Sequence, residues 1–228
     1  MFAQTFAGLI AILAAVASLS GCSTESDAIV STFRAARRAT AGAAHGAPLN
    51  PSLRYLRTTS TGGVSFLVLG NLDRDANGPI EVWYSSSRAV FRLQNGRVIG
   101  LSGTDVEWAH VVVPALPSWS AIARSGTPLE WARQRDVMPG YRLGTVDHLT
   151  LRRITPPSSS ELVGTSMQEL VWFEEQARED RLPVARYAID MSREPGAVVY
   201  GEQCFSPTLC LTWQRWPPDA AGTAVSTK

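Results

Sequence analysis

The chain has 228 residues, 45% of them hydrophobic, which is enough for one substantial core and does not require a second domain. A formal net charge of +1 with 18% charged residues supplies no excess positive field, so the electrostatic footprint of a nucleic-acid binder is missing. Three histidines and three cysteines leave few side chains for metal or nucleophilic chemistry.

In chain order, Phe6 to Leu19 form an apolar run too short to span a bilayer comfortably, and it reads as the h-region of a signal peptide over residues 1–21. It closes in Leu19-Ser20-Gly21-Cys22, a lipobox in which small residues admit the signal peptidase and the Cys22 thiol accepts a diacylglyceryl group. Two or three acyl chains, at roughly 0.8 kcal/mol per buried methylene, anchor a protein without a spanning helix. The expected membrane partner is therefore met through an N-terminal lipid anchor. Ser23 follows where an Asp would be the usual inner-membrane retention signal, which points to the outer membrane of a Gram-negative cell and its periplasmic face.

Residues 22–50 are rich in Ala, Ser, Thr and Gly and read as a lipidated tether. Phe33 to Arg38 suggest a short helix within it, with Arg34, Arg37 and Arg38 on a solvated face.

From Pro51 to Pro218 the texture changes to short runs of β-branched, aromatic and Leu residues that end in Gly, Asn, Asp or Pro. Strands are predicted over Leu53 to Thr58, Val64 to Gly70, Ile80 to Ser85, Ala89 to Gln94 and Arg97 to Leu101, with Asn95-Gly96 as a two-residue hairpin turn. Pro114 to Gly126 holds a helical turn carrying Trp119 and Ile122. Strands resume at Leu129, Tyr141 to Leu143 and His148 to Ile154. Gln168 to Arg181 has both strand and helix character and is read as strand. Ala185 to Met191, Ala197 to Gln203 and Leu209 to Trp216 close the domain, and residues 219–228 read as a flexible tail. The fold class expected is mainly β, an antiparallel meander forming a large curved sheet or open barrel-like domain with a few short helices.

The search for chemistry finds little that converges. His45, His110 and His148 stand in no metal-binding or triad spacing, and no cofactor is expected. Gly164-Thr165-Ser166 lacks the closing Gly of a nucleophile elbow and reads as a loop. Glu174 and Glu175 are neighbours on a strand, so they point to opposite faces and cannot flank one glycosidic bond; both read as solvated charge. Asp73, Asp75 and Asn77 with Gly78 match the first half of a calcium loop, but Pro79 and Tyr84 break the second half, and turn chemistry accounts for the same residues. Cys204 and Cys210 bracket five residues and, in an oxidising compartment, are candidates for a disulfide across a hairpin end; the alternative is a pair of buried thiols. Seven Trp residues serve as core and rim, with Trp83, Trp108 and Trp131 as candidate contacts for glycan or a protein partner.

Several of these segments carry a resemblance. Leu53-Arg54-Tyr55-Leu56, Phe66 to Gly70, Val82-Trp83-Tyr84, the Gly96-Arg97-Val98-Ile99 hairpin running into Gly100 to Gly103, Arg186 to Asp190 and Gly201-Glu202-Gln203 together resemble the YjbF/GfcB family of group 4 capsule and exopolysaccharide lipoproteins. The resemblance runs from about Leu53 to Trp216, and the Cys204 and Cys210 pair departs from it. It implies a periplasm-facing, mainly antiparallel β domain that assists polysaccharide assembly or export by binding, not catalysis, with export proteins or glycan as partners. It supplies no catalytic residues. The alternatives are a lipid or glycolipid carrier and a periplasmic glycan-modifying enzyme.

Overall fold

Period-two alternation sends one set of side chains to each face of a strand, and a sheet that closes on itself hides one face completely while removing its edges. The computed structural model describes residues 23–44, 48–178, 182–192 and 195–218. Among these the strands are β1 (Tyr55–Ser60), β2 (Gly63–Asp73), β3 (Ile80–Tyr84), β4 (Val90–Gln94), β5 (Arg97–Ser102) and β6 (Glu107–Val112), then β7 (Leu129–Met138), β8 (Arg142–Ile154), β9 (Val171–Ala177), β10 (Ala185–Asp190), β11 (Ala197–Ser206) and β12 (Leu209–Trp216). They form one closed antiparallel barrel in sequence order, sealed where β1 pairs with β12 from Tyr55 opposite Trp216 to Ser60 opposite Leu211. The mainly β, meandering character is as expected, and the barrel is closed rather than open.

The hairpin at Asn95-Gly96 shows how local chemistry sets register. Both residues have positive φ, 49° and 75°, as a type I′ turn demands, and Gln94 lies opposite Arg97. A Cβ on Gly96 would sit 2.2 Å from the Val198 side chain, so the turn also needs glycine for close approach to β11.

Three differences from the sequence reading have physical causes. Strand β6 was not expected, because a register shift between Trp108 and His110 breaks its alternation. Arg142 and Leu143 belong to the same hairpin arm as His148 to Ile154, with Tyr141 left in the turn, for β8 runs unbroken through Gly144, whose φ is 65° and whose N–H donates to Asp136 Oδ1 at 2.7 Å. The supposed tether is mostly the 22-residue helix α1 (Ser23–Ala44), docked on the outside of the barrel.

Small residues let α1 approach closely. Ala36 and Ala39 are buried against Tyr55, Phe66 and Val68. Thr40 Oγ1 accepts from the Phe66 N–H at 3.2 Å, and Phe33 meets Tyr84 edge-on at 5.2 Å. Arg34, Arg37 and Arg38 are exposed on the opposite side. A second external cover is the segment 155–170. There Val163 exchanges two hydrogen bonds with the Gln214 amide, and Leu162 and Met167 lie over Trp172 and Tyr200.

The lumen is the main core. Leu56, Trp83, Phe91, Trp108, Leu151, Phe173, Tyr187, Phe205 and Trp213 meet there, each nearly inaccessible. Burying each such side chain stabilises the fold by about 1.5–3 kcal/mol. One end of the barrel is plugged by the short helix α2 (Trp119–Ser125), capped by the Ser118 hydroxyl and ended by Gly126 at φ 68°. Trp119 enters the core beside Phe173 and Tyr187.

The α1 contact is testable. Ala36→Leu should overpack the helix against β2 and cost about 1–3 kcal/mol in urea unfolding, whereas Arg37→Leu on the exposed side should change stability by less than about 0.5 kcal/mol.

Candidate functional site

Strand β7 carries Leu129, Trp131, Arg133, Arg135 and Val137 at alternate positions, and β8 carries Asp147, Leu149 and Leu151. Because Val137 and Leu151 face the lumen core, period two brings the two arginines and Asp147 to the same inner face. Arg133 pairs opposite Asp147 in register. Arg133 Nε and Arg135 Nε both donate to Asp147 Oδ2, at 2.7 and 2.6 Å, and Arg135 Nη2 donates to Oδ1 at 3.0 Å. Both guanidiniums lie over the Trp108 ring, 4.4 and 4.7 Å from its centre.

A second acid lies deeper along the wall. Glu175 is 3% exposed, with Oε1 3.7 Å from Arg133 Nη1 and accepting from the Tyr187 hydroxyl at 3.4 Å. A third cation, Arg97, is also buried, its guanidinium 3.9 Å from the centre of Trp119 and 6.0 Å from that of Trp131. Three guanidiniums thus share the interior with two carboxylates.

The field within the lumen moves these groups in different directions. Burial pushes Asp147 up, but hydrogen bonds from Arg135 and the charge and hydrogen bond of Arg133 outweigh it and hold the carboxyl below the usual range. Burial raises Glu175 despite Arg133 and Arg97. Burial also lowers Arg97, with Glu175 opposing the shift, and raises the Tyr187 hydroxyl.

At the α2 end the lumen opens to a cleft of about 490 Å³, lined by Glu81, Gln94, Arg97, Trp119 and Arg215 with a wall from the proline-bearing segment 113–118. Arg215 Nη2 donates to Glu81 Oε1 at 2.9 Å, and Trp83 Nε1 donates to Glu81 Oε2 at 3.1 Å, so the Glu81 charge is committed. At the opposite end a cleft of about 430 Å³ is bounded by Thr59, Arg186, Glu202, Cys204, Cys210 and Thr212.

The residues singled out by sequence fall as follows. Cys22, His45 and the signal segment lie outside the described residues. Cys204 and Cys210 lie opposite one another on β11 and β12 and are joined by a disulfide. Trp83 and Trp108 are 1% and 0% exposed, which removes them as surface contacts for glycan or partner: a twelve-stranded lumen needs bulky side chains to fill it. Trp131 is half-buried and faces Arg97.

Asp75 and Asn77 hold the β2–β3 turn, Asp75 Oδ1 accepting from the Asn77 N–H at 2.8 Å and from Gln94 Nε2 at 2.7 Å, while Asn71 Nδ2 donates to Asp73 Oδ1 at 2.6 Å. Among the described residues no group of three or more His, Cys, Asp or Glu is placed to hold a metal ion. His110 and His148 are exposed on the outer face. Glu174 does point outward, paired with Arg152, but Glu175 is a lumen residue and not solvated charge. The lumen charges were missed as a group, although Arg133 and Arg135 alternate with Trp131 and Val137 in a readable period-two pattern.

The fold and lumen define a class: a closed antiparallel barrel with a filled, charged interior and a short helix plugging one end. A solved structure with a similar fold is the hypothetical lipoprotein YmcC from Escherichia coli, similar over 87% of this chain and 96% of that one with a TM-score of 0.51 and 13% sequence identity. That likeness is one of fold. No family model matches the sequence, and no curated protein does.

Removing the shared acid tests the network. The folded Asp147 carboxyl titrates below its unfolded value of about 3.9, so its contribution is complete above that pH and is lost as the pH falls through the folded value. Asp147→Asn should therefore cost about 3–5 kcal/mol at pH 7 by leaving two buried guanidiniums without their anion. The gap in urea midpoint between wild type and variant should narrow as the carboxyl protonates in acid; equal midpoints at pH 7 would contradict the account.

Proposed function

We propose that the chain is an outer-membrane lipoprotein, anchored through acylated Cys22 with its barrel facing the periplasm, and that it assists the assembly or export of an exopolysaccharide or capsule by binding. The observation that carries the reading is the likeness of fold, over 87% of the chain, to a hypothetical lipoprotein, in a sequence that has its own lipobox at Cys22. The resemblance of the strand segments to the YjbF/GfcB family supplies the link to polysaccharide export. Helix α1 adds support, since it follows the lipobox closely in sequence and docks against β2, which would hold the barrel close to the anchor.

The rival readings fit the interior less well. A lipid carrier needs an apolar hollow, and this lumen is filled by aromatic side chains and three arginines. A glycan-modifying enzyme needs accessible carboxylates that converge on one bond, whereas Asp147 is engaged by Arg133 and Arg135 and Glu175 is buried in the lumen beside Tyr187.

Deletion of the gene should abolish or sharply reduce secreted polysaccharide, with output restored by the wild-type gene and not by Cys22→Ser. Unchanged polymer in the deletion strain would overturn the proposal.

A further inference from the structure

Helix α1 presents two faces. Ala36 and Ala39 are buried against the barrel wall, whereas Arg34, Arg37 and Arg38 are exposed on the far side. Val30 precedes Arg34 by four residues and Arg37 and Arg38 by seven and eight, the spacing of a single helix face. It is 43% exposed. Ile29 stands four residues before Phe33, on the side that meets the barrel, yet it is 45% exposed, so the wall does not cover this turn.

The charge on this side of the molecule is segregated. From Ala28 to Leu72, through the rest of α1, all of β1 and most of β2, there is no Asp or Glu, while Arg34, Arg37, Arg38, Arg54 and Arg57 all fall within it. The acids of α1, Glu25 and Asp27, lie nearer the lipobox than any of its arginines. In a chain whose net charge is only +1, an acid-free stretch that ends in three exposed guanidiniums on one helix is a local positive field. Val30 lies about 10 Å along the helix from Ser23, so an acyl chain at Cys22 keeps this face within reach of lipid headgroups. Arginine suits that boundary, because its methylene stem packs on apolar surface while the guanidinium stays on the phosphates.

We propose that the outer face of α1 is a membrane-contact surface that seats the barrel on anionic phospholipid headgroups, with Arg34, Arg37 and Arg38 on the phosphates and Val30 at the edge of the acyl region. The inference rests on the acylation of Cys22 proposed above and adds which wall meets the bilayer: β2 with α1 faces the lipid, and β8, on the other side of the barrel, faces away. Each arginine near such a surface strengthens contact by about five-fold.

The full lipidated chain, reconstituted in phosphatidylcholine vesicles with or without phosphatidylglycerol, tests this. An environment-sensitive fluorophore is attached at Val30→Cys, or at the equally exposed Val146→Cys on β8 as reference; Cys204 and Cys210 are closed to labelling by their disulfide. With phosphatidylglycerol present, nitroxide lipids should quench the label at position 30 several-fold more than the label at 146. The triple variant Arg34→Gln, Arg37→Gln, Arg38→Gln should remove most of that difference, as should salt at about 1 M. Its thermal midpoint should stay near that of wild type, since all three side chains are exposed. Equal quenching at the two positions, no gain from phosphatidylglycerol, or undiminished quenching in the triple variant would each overturn the assignment. Release of the label from the lipid by soluble alginate, an acidic polysaccharide, would also overturn it and give the face to polymer. Mass spectrometry of the same sample separates the two readings: an unacylated Cys22 rejects the anchor, whereas acylated Cys22 with an unquenched label rejects this face alone.

Discussion

Closure between β1 and β12 is the constraint on which the other features depend. Once Tyr55 pairs with Trp216 the barrel has no edge, every strand has two neighbours, and the width of the lumen follows from the number of strands. Twelve strands enclose more room than aliphatic side chains can fill. The interior is occupied accordingly by the largest residues available, Trp83, Trp108, Trp213, Phe91, Phe205 and Tyr187, in edge-on contacts such as Trp108 with Phe205 at 4.8 Å. Arginine is the other long, flat side chain, and Arg97, Arg133 and Arg135 fill space between the rings as well as carrying charge.

Filling a core with arginine imposes an electrostatic cost that local pairing offsets only in part. Asp147 receives both Arg133 and Arg135, and Trp108 lies against both guanidiniums, which makes this half of the lumen self-contained. Glu175 offsets Arg133 and Arg97 from farther away. Arg97 Nε and Nη2 and Glu175 Oε2 are left without hydrogen-bond partners, so these two groups offset each other through the field alone. Ser120 N–H donates to Pro195 O at 3.1 Å and Trp119 Nε1 to Asn95 O, so the β4–β5 and β10–β11 connections both hold the α2 plug in place.

The outside of the barrel is organised by different physics. Helix α1 uses alanines and threonines to come close to β2, and segment 155–170 returns across β10 to β12 through Val163, Gln214 and Tyr200. Both are polar or small in composition, which is why α1 resembled a tether when read as a string of residues. Its apolar stripe of Phe33, Ala36 and Ala39 is helical in spacing but too low in hydrophobicity to stand out from an Ala-, Thr- and Gly-rich background.

The sequence by itself determined the secret of the strands: alternation, β-branched content and turn residues placed most of them within a few residues, and Asn95-Gly96 specified its own turn because both positions need positive φ. Lipobox chemistry at Cys22 is likewise a matter of contiguous residues. Tertiary structure decided the rest, for reasons of distance along the chain. Whether the meander closes depends on β1 meeting β12, and which Trp residues are core depends on lumen width. Glu175 and Arg97 become buried neighbours in the field of Arg133 only when β5, β7 and β9 share one interior. Local patterns record which face a side chain takes; they do not record what stands across the barrel from it.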